Sequence, residues 1–246
     1  MTKIFAHRGA SGYAPENTLE AFALATEQEA DGIELDVQLT RDGELVVIHD
    51  ERIDRTSDHK GFVKDYTLKE IKEFTFNNHM EEYGSAKIPT LREVLELVKP
   101  GNMQVNIELK TGIIWYPGIE EKVLALVEEL EMKDRVIYSS FNHYSIQKIR
   151  ILDEAAETAY LYEDVILDVE EYARRNGVQG IHPAMYHLKM ADFLESYKAS
   201  GLNVRVWTVN EEEDMRECME NGLTAIFTNY PDKARKVREE VRKRKK

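Results

Sequence analysis

The chain reads as an α/β protein, a TIM (β/α)8 barrel with a hairpin arm and a small insertion over its C-terminal mouth. Three observations lead there. Its 246 residues, 42% of them hydrophobic, suit one α/β barrel, which typically takes about 250 residues. Short apolar runs alternate with longer amphipathic ones along the whole chain, as in a parallel sheet clothed by helices. Nine strand-like runs can be counted, and one of them returns across a tight turn, which leaves eight for a closed sheet.

In order, the strand-like runs are Ile4–His7, Gly32–Leu39, Leu45–His49, Met103–Lys110, Val136–Ser140, Thr158–Tyr162, Gly180–Pro183, Asn203–Val209 and Ala225–Asn229. A helix over Thr18–Ala30 follows the first, with Asn17 as N-cap and Glu20 in the dipole-favoured first turn. Another opens at Pro89, where Thr90 and Glu93 stand three apart as in a capping box. Further helices fit Ile119–Leu130, Ser145–Leu152, Val169–Asn176, Ala191–Ser200, Glu211–Glu220 and Asp232–Arg244.

The exception to the alternation is Thr-Arg-Asp-Gly-Glu between Leu39 and Leu45, where Asp-Gly signals a two-residue hairpin. With Asp42 and Gly43 at the turn, Arg41 faces Glu44 and His49 falls opposite Asp36. From Asp50 to about Lys87 there is no convincing strand and one short helical piece, Leu68–Phe74. Loops of this length are often functional. The chain is therefore expected to form one barrel domain over 1–246, with an insertion at about 50–87 folded over the mouth.

Charge and cysteine content exclude several classes. A formal net charge of −13 makes the protein a poor general binder of nucleic acid. The run of five cations from Arg242 to Lys246 is read as a frayed, solvated tail, the alternative being a nucleic-acid or membrane patch. The single cysteine, Cys218, permits no intramolecular disulfide and is expected as a small hydrophobe within a helix. No apolar run approaches a membrane span, and charge follows the N-terminus too soon for a signal-peptide segment. A cytoplasmic protein without nucleic-acid partners or stable membrane association is expected, its oligomeric state left open.

In such barrels the chemistry sits at the C-terminal strand ends. The first strand ends in His7-Arg8-Gly9. On the second, Glu34 and Asp36 share one face while Ile33, Leu35 and Val37 take the other. Two carboxylates buried side by side repel unless a cation joins them, and a hard divalent metal does so economically. Glu108 offers a third carboxylate and Lys110 a point charge suited to phosphate. Arg8 suits a second phosphate contact, and the hairpin would deliver His49 beside Asp36, across the metal from His7. Singly, each residue has a plain structural reading. Together they describe a metal-assisted phosphoryl site with two imidazoles to move protons.

These residues fall within a larger set: His7-Arg8-Gly9, Pro15-Glu16-Asn17-Thr18, Glu34-Leu35-Asp36-Val37, Asp42-Gly43, His49-Asp50, Arg55-Thr56, Ile88-Pro89-Thr90-Leu91, Glu108-Leu109-Lys110, Ser139-Ser140-Phe141 and Trp207-Thr208-Val209-Asn210. In this order and spacing, the sequence resembles the glycerophosphodiester phosphodiesterase family essentially end to end. The resemblance implies a TIM barrel with an inserted segment after the second histidine. It also implies hydrolysis of a glycerophosphodiester to sn-glycerol 3-phosphate and an alcohol. Glu34, Asp36 and Glu108 would then be ligands of one divalent cation, Ca²⁺ or Mg²⁺. His7 and His49 would be the acid/base pair, and Arg8 and Lys110 phosphate contacts.

Other residues carry two readings each. Trp207 and Phe141 either touch a glycerol backbone or pack the rim. Asn17 is a plain N-cap or a group near the metal, and the cap alone explains it. Tyr13 lines the site or covers it, and His182 falls at a strand end, where contact with substrate is the lesser of its two readings. Arg205 is expected as an internal ion-pair partner, while His59, His79, His143 and His187 receive no role. Two rival functions stay open. A related phosphodiesterase acting on a phosphoinositide or lysophospholipid would keep the same polar residues, and a non-catalytic sensor of a phosphorylated polyol would have no use for two histidines.

Overall fold

The structure, a computed structural model, describes residues 1–244, so Lys245 and Lys246 of the basic run lie outside the described residues. The strands are β1 (Lys3–His7), β2 (Gly32–Leu39), β3 (Leu45–Val47), β4 (Gln104–Leu109), β5 (Val136–Ser140), β6 (Glu157–Tyr162), β7 (Gly180–Pro183), β8 (Asn203–Val206) and β9 (Ala225–Thr228). All but β3 are parallel to their neighbours, in the order β1-β2-β4-β5-β6-β7-β8-β9, and β9 returns to pair with β1. This is the closed eight-stranded barrel that the strand count implies.

The helices are α1 (Leu19–Glu27), α2 (Leu68–Ile71), α3 (Leu91–Val98), α4 (Ile119–Glu129), α5 (His143–Leu152), α6 (Val169–Arg175), α7 (Phe193–Ala199), α8 (Glu212–Glu220) and α9 (Pro231–Arg244). Thr90 and Glu93 form the reciprocal capping box at the start of α3. Val241 is buried under the last turn of α9, while Arg242, Lys243 and Arg244 are exposed. Among the described residues no helix is long and apolar enough to cross a membrane.

Side-chain alternation sorts the sheet into two environments. Ile33, Leu35 and Val37 pack outward with Phe22, Leu95, Ile107 and Val127 in one apolar layer between sheet and helices. Ile181, Val206, Met215, Cys218 and Val237 lie in a second, on the other side of the barrel. Inside the barrel Phe5, Ile137, Ala225 and Phe227 form a small apolar plug. Beside it Arg205 is buried and paired with Glu157, the internal ion pair expected of it.

The hairpin departs from the expected register by one residue. Val37 pairs with Val47, Gln38 with Val46 and Leu39 with Leu45. The turn has three residues, Arg41-Asp42-Gly43, with Gly43 at φ +79°, and the backbone N of Thr40 donates to Glu44 O at 3.0 Å. Three-residue hairpins that end on a left-handed glycine are a common alternative to the two-residue form. Here the Thr40 hydroxyl favours the longer loop, donating to Asp42 Oδ1 at 2.6 Å and accepting from Glu44 N at 2.9 Å. Ile48, not His49, therefore stands opposite Asp36, its N donating to Asp36 O at 2.9 Å. β3 stops at Val47, and His49 lies beyond it in non-strand backbone.

Residues 50–87 hold α2, two 3-10 turns (Val63–Asp65 and Glu81–Tyr83) and an isolated bridge between Arg52 and Phe62. Ile53, Val63, Ile71 and Phe76 from this segment gather with Val46, Ile48 and Ile88 into a separate apolar cluster on the hairpin. The segment leans on the loop after β1, where Arg55 reaches Glu16 and Tyr83 Oη donates to the Tyr13 carbonyl.

Candidate active site

A cavity of about 440 Å³ opens at the C-terminal end of the barrel, and its walls include His7, Arg8, Glu34, His49, Glu108, Lys110, Phe141 and Trp207. Asp36 is buried beside Glu34 and Glu108, and one carboxylate oxygen from each of the three lies within 4.8 Å of the others. The structure thus brings together all nine residues singled out for the site. β2 supplies Glu34 and Asp36 because residues two apart project to the same side. Parallel pairing of Asp36 with Glu108 places the third acid level with the second.

Three buried acids in contact strain the local electrostatics. Burial, then Asp36 and Glu108, push the Glu34 carboxyl well above its ordinary value. Burial also raises Glu108, against the opposing pull of Lys110. Burial opposes ionisation of Asp36 too, yet His49, Lys110, Arg8 and a hydrogen bond from Asn17 hold its carboxyl far below the usual range. Asp36 Oδ1 is buried without a hydrogen-bond partner. An all-oxygen set of three acids with an orphaned carboxylate oxygen fits a hard divalent cation.

Both histidines are held through Nδ1. His7 Nδ1 lies 2.8 Å from Asn229 Oδ1, an acceptor, so the ring carries its hydrogen there. Asn229 is held in turn by its backbone N, which donates to Asn210 Oδ1 at 2.9 Å. Burial first, and then the Arg8 guanidinium, lower the His7 pKa to about 4, so the ring is neutral near pH 7. His49 Nδ1 lies 2.6 Å from Asp50 Oδ1. In both rings Nε2 is left to exchange a proton with a bound molecule.

The cations are tied into one network. Arg8 adopts a left-handed backbone, φ 56°, which points its N–H at Glu34 Oε2 (2.9 Å). Its guanidinium contacts Glu16 at 2.9 Å and Asp36 at 3.5 Å. Glu16 also accepts two hydrogen bonds from Arg55, which makes two more to Asp50, the partner of His49. Lys110 Nζ donates to Glu108 Oε1 at 2.9 Å and lies 3.8 Å from Asp36 Oδ1.

Asn17 is not the cap of α1. Thr18 accepts from Ala21 N in that role, and Asn17, at φ 57°, donates through Nδ2 to Asp36 Oδ2 at 2.8 Å. The sequence signal was ambiguous because Asn is both a favoured cap and the non-glycine residue that best tolerates left-handed backbone. Tyr13 does not line the cavity. Its hydroxyl donates to Asp232 and its ring packs edge-on to Tyr230. His182 does line it, fully buried, with Arg205 3.4 Å from its Nε2.

Sequence reasoning missed Gln38. Buried on β2, it donates through Nε2 to the carbonyls of Ile48, His49 and Asp50 at 3.1, 3.0 and 2.8 Å, and its Oε1 accepts from Tyr116 Oη at 2.9 Å. This single amide holds the turn that carries His49. Gln38→Met is expected to lower stability by about 2 to 4 kcal/mol, since several buried groups lose their partner. It should lower kcat about tenfold with little change in KM, because a loosened His49 costs alignment more than binding. Unchanged kcat in a folded variant would show that the amide does not position His49.

His182 yields a stability prediction. Burial, then Arg205, hold its pKa well below the ordinary 6.5. Below pH 6.5 the unfolded chain takes up a proton that the folded chain refuses, so stability is full above that pH and declines as pH falls toward the folded value. The full slope is about 1.4 kcal/mol per pH unit. Denaturant titrations of His182→Gln should show a smaller loss of stability between pH 8 and pH 5 than wild type. Equal losses in both proteins would contradict it.

The glycerophosphoryl diester phosphodiesterase family matches residues 7–233. The chain is 43% identical to a glycerophosphodiester phosphodiesterase of Caldanaerobacter subterraneus subsp. tengcongensis, with 94% of this chain and 95% of that protein covered. It is 45% identical to the glycerophosphodiester phosphodiesterase of Bacillus altitudinis, with 98% and 100% covered. Among solved structures, an Oleispira antarctica phosphodiesterase in complex with the product sn-glycerol-3-phosphate superposes with a TM-score of 0.86 at 30% identity, covering 97% of each chain.

Proposed function

The chain belongs to the glycerophosphoryl diester phosphodiesterase family, and on that premise we propose that it cleaves glycerophosphodiesters to sn-glycerol 3-phosphate and an alcohol by paired-histidine catalysis. The observation that carries this reading is the placing of two Nδ1-anchored imidazoles and two cations around three buried acids in one cavity. The Oleispira antarctica relative, bound to sn-glycerol-3-phosphate, supports the same product here.

Glu34, Asp36 and Glu108 would hold one divalent cation, Ca²⁺ or Mg²⁺. When bound, it would polarise a phosphoryl oxygen and offset the charge of the phosphate. Arg8 and Lys110 bind the remaining phosphoryl oxygens, Arg8 with its guanidinium fork and Lys110 as a point charge. Phe141 and Trp207, edge-to-face at 5.6 Å, offer apolar faces to the carbon groups on either side of the phosphate. One histidine takes the proton of the attacking hydroxyl as the new O–P bond forms. The other protonates the alcohol oxygen as its bond to phosphorus breaks. If the attacker is the glycerol 2-hydroxyl, a cyclic phosphate forms and water opens it with the histidines in exchanged roles. If it is water, one displacement completes the reaction. Trapping a 1,2-cyclic glycerophosphate would support the first route, and full turnover of a 2-deoxy analogue would exclude it.

The substrate is a small molecule met in the cytoplasm, and the acidic surface gives no purchase to nucleic acid. The deciding experiment follows release of glycerol 3-phosphate from glycerophosphocholine and glycerophosphoethanolamine after EDTA treatment, then with Mg²⁺ or Ca²⁺ restored. Metal-dependent release is the expected result. No release with either ion, from folded protein, would overturn the reading in favour of a larger phosphodiester or a binding role.

A further inference from the structure

The cavity has two chemically different halves. Going round the barrel, β1, β2 and β4 are consecutive and carry the acids, His7, Arg8 and Lys110, with His49 arriving from the hairpin beside β2. The other arc, β5 to β8, carries Phe141, Leu161, Glu163, His182 and Trp207. Glu163 stands out there as the one acidic side chain on that arc of the lining. It directly follows Tyr162, the last residue of β6. Its carboxylate is exposed and has no hydrogen bond or ion pair among the described residues.

Its backbone, by contrast, is fixed. The Glu163 carbonyl accepts from Nε2 of His187, a buried ring, at 2.7 Å and also from Tyr186 Oη. The cations of the opposite arc do not neutralise it, being engaged by Glu16, Asp36 and Glu108. On the same arc as Glu163 stands the aromatic corner of Phe141, after β5, and Trp207, after β8, rings at 87° to one another, with Lys110 Nζ 5.9 Å from the Phe141 ring centre. A phosphodiester seated on Arg8 and Lys110 thus shares its cavity with two aromatic faces and an unpaired carboxylate whose backbone is anchored.

We infer that Glu163 and the Phe141–Trp207 corner of the same cavity form a subsite for a positively charged leaving alcohol, an amino alcohol or its quaternary ammonium counterpart. This rests on the proposed phosphodiesterase reading and adds to it the class of head group the enzyme favours. Carboxylate and aromatic faces are the two protein surfaces that attract an ammonium group. An uncharged alcohol gains nothing from the carboxylate and would be cleaved with a lower kcat/KM.

The test compares kcat/KM for glycerophosphocholine and for glycerophosphoglycerol, whose leaving alcohol is uncharged, in wild type, Glu163→Gln and Glu163→Lys with the divalent cation supplied. The choline-to-glycerol ratio is expected to fall about fivefold in Glu163→Gln, as for a partly solvated charge contact, and further in Glu163→Lys. The change should appear chiefly in KM for the cationic substrate. A ratio unchanged in both variants would overturn the assignment and leave the phosphodiesterase reading intact. Failure of the wild type to cleave either substrate would remove both.

Discussion

His49→Ala should lower kcat for glycerophosphocholine by about 10²- to 10⁴-fold, and His7→Ala by a similar factor, the usual range for losing a general acid or base. KM should move far less, because Arg8, Lys110 and the acid cluster bind the phosphate and all remain in place. The two losses separate on a substrate whose alcohol is p-nitrophenol, which departs without a proton. The variant lacking the acid should recover most of its rate there, and the variant lacking the base should not. His7, neutral near pH 7 with an amide at Nδ1 and a pKa lowered to about 4, is placed to accept a proton. His49, held through Nδ1 by the Asp50 carboxylate, is placed to deliver a proton to the leaving oxygen. The expected pattern is therefore rescue of His49→Ala by the nitrophenyl ester and none of His7→Ala. A loss below tenfold in either variant would remove that histidine from proton transfer.

The polar residues at strand ends were legible because strand geometry leaves them little freedom. Once Glu34 and Asp36 stand two apart on a strand with Ile33, Leu35 and Val37 between and beside them, the acids must face inward and the aliphatics outward. The hairpin register was not legible at the same level. Asp-Gly supports either a two- or a three-residue loop, and the choice turned on the Thr40 hydroxyl, a side-chain contact that pair rules do not contain. A one-residue slip in a longer strand would have turned His49 away from the site. Here the strand ends at Val47, and Gln38 sets the position of His49 through carbonyls instead of through pleat alternation.

The supporting network shows another limit of sequence reading. Glu16 sits in the loop after β1 while Asp50 and Arg55 sit in the segment after β3, and nothing in their local patterns says that a guanidinium will bridge two carboxylates. Glu163 was invisible for a similar reason. It reads as one more acid in an acidic chain until the barrel places β6 across the cavity from β1. Residues whose role depends on long-range closure become legible only when the closure is known.

The acid cluster carries the other large effect, one readable without any substrate. In protein stripped with EDTA the three carboxylates face one another, and burial together with Asp36 and Glu108 already pushes the Glu34 carboxyl well above its ordinary value. Glu34→Gln keeps the shape and removes one of the repelling charges. Stripped Glu34→Gln should therefore melt at a higher temperature than stripped wild type. Restoring Mg²⁺ or Ca²⁺ should reverse the order. Wild type should gain about 2.7 kcal/mol at a hundredfold excess over Kd, whereas the variant, short of one anionic ligand, gains little and loses at least a hundredfold in kcat. Opposite movements of stability and activity are what a cation site predicts and what a purely structural carboxylate would not produce. If the ion left both melting temperatures unchanged, or if the stripped variant were the less stable protein, the three acids would have to be explained by their contacts with Arg8, Asn17 and Lys110 alone.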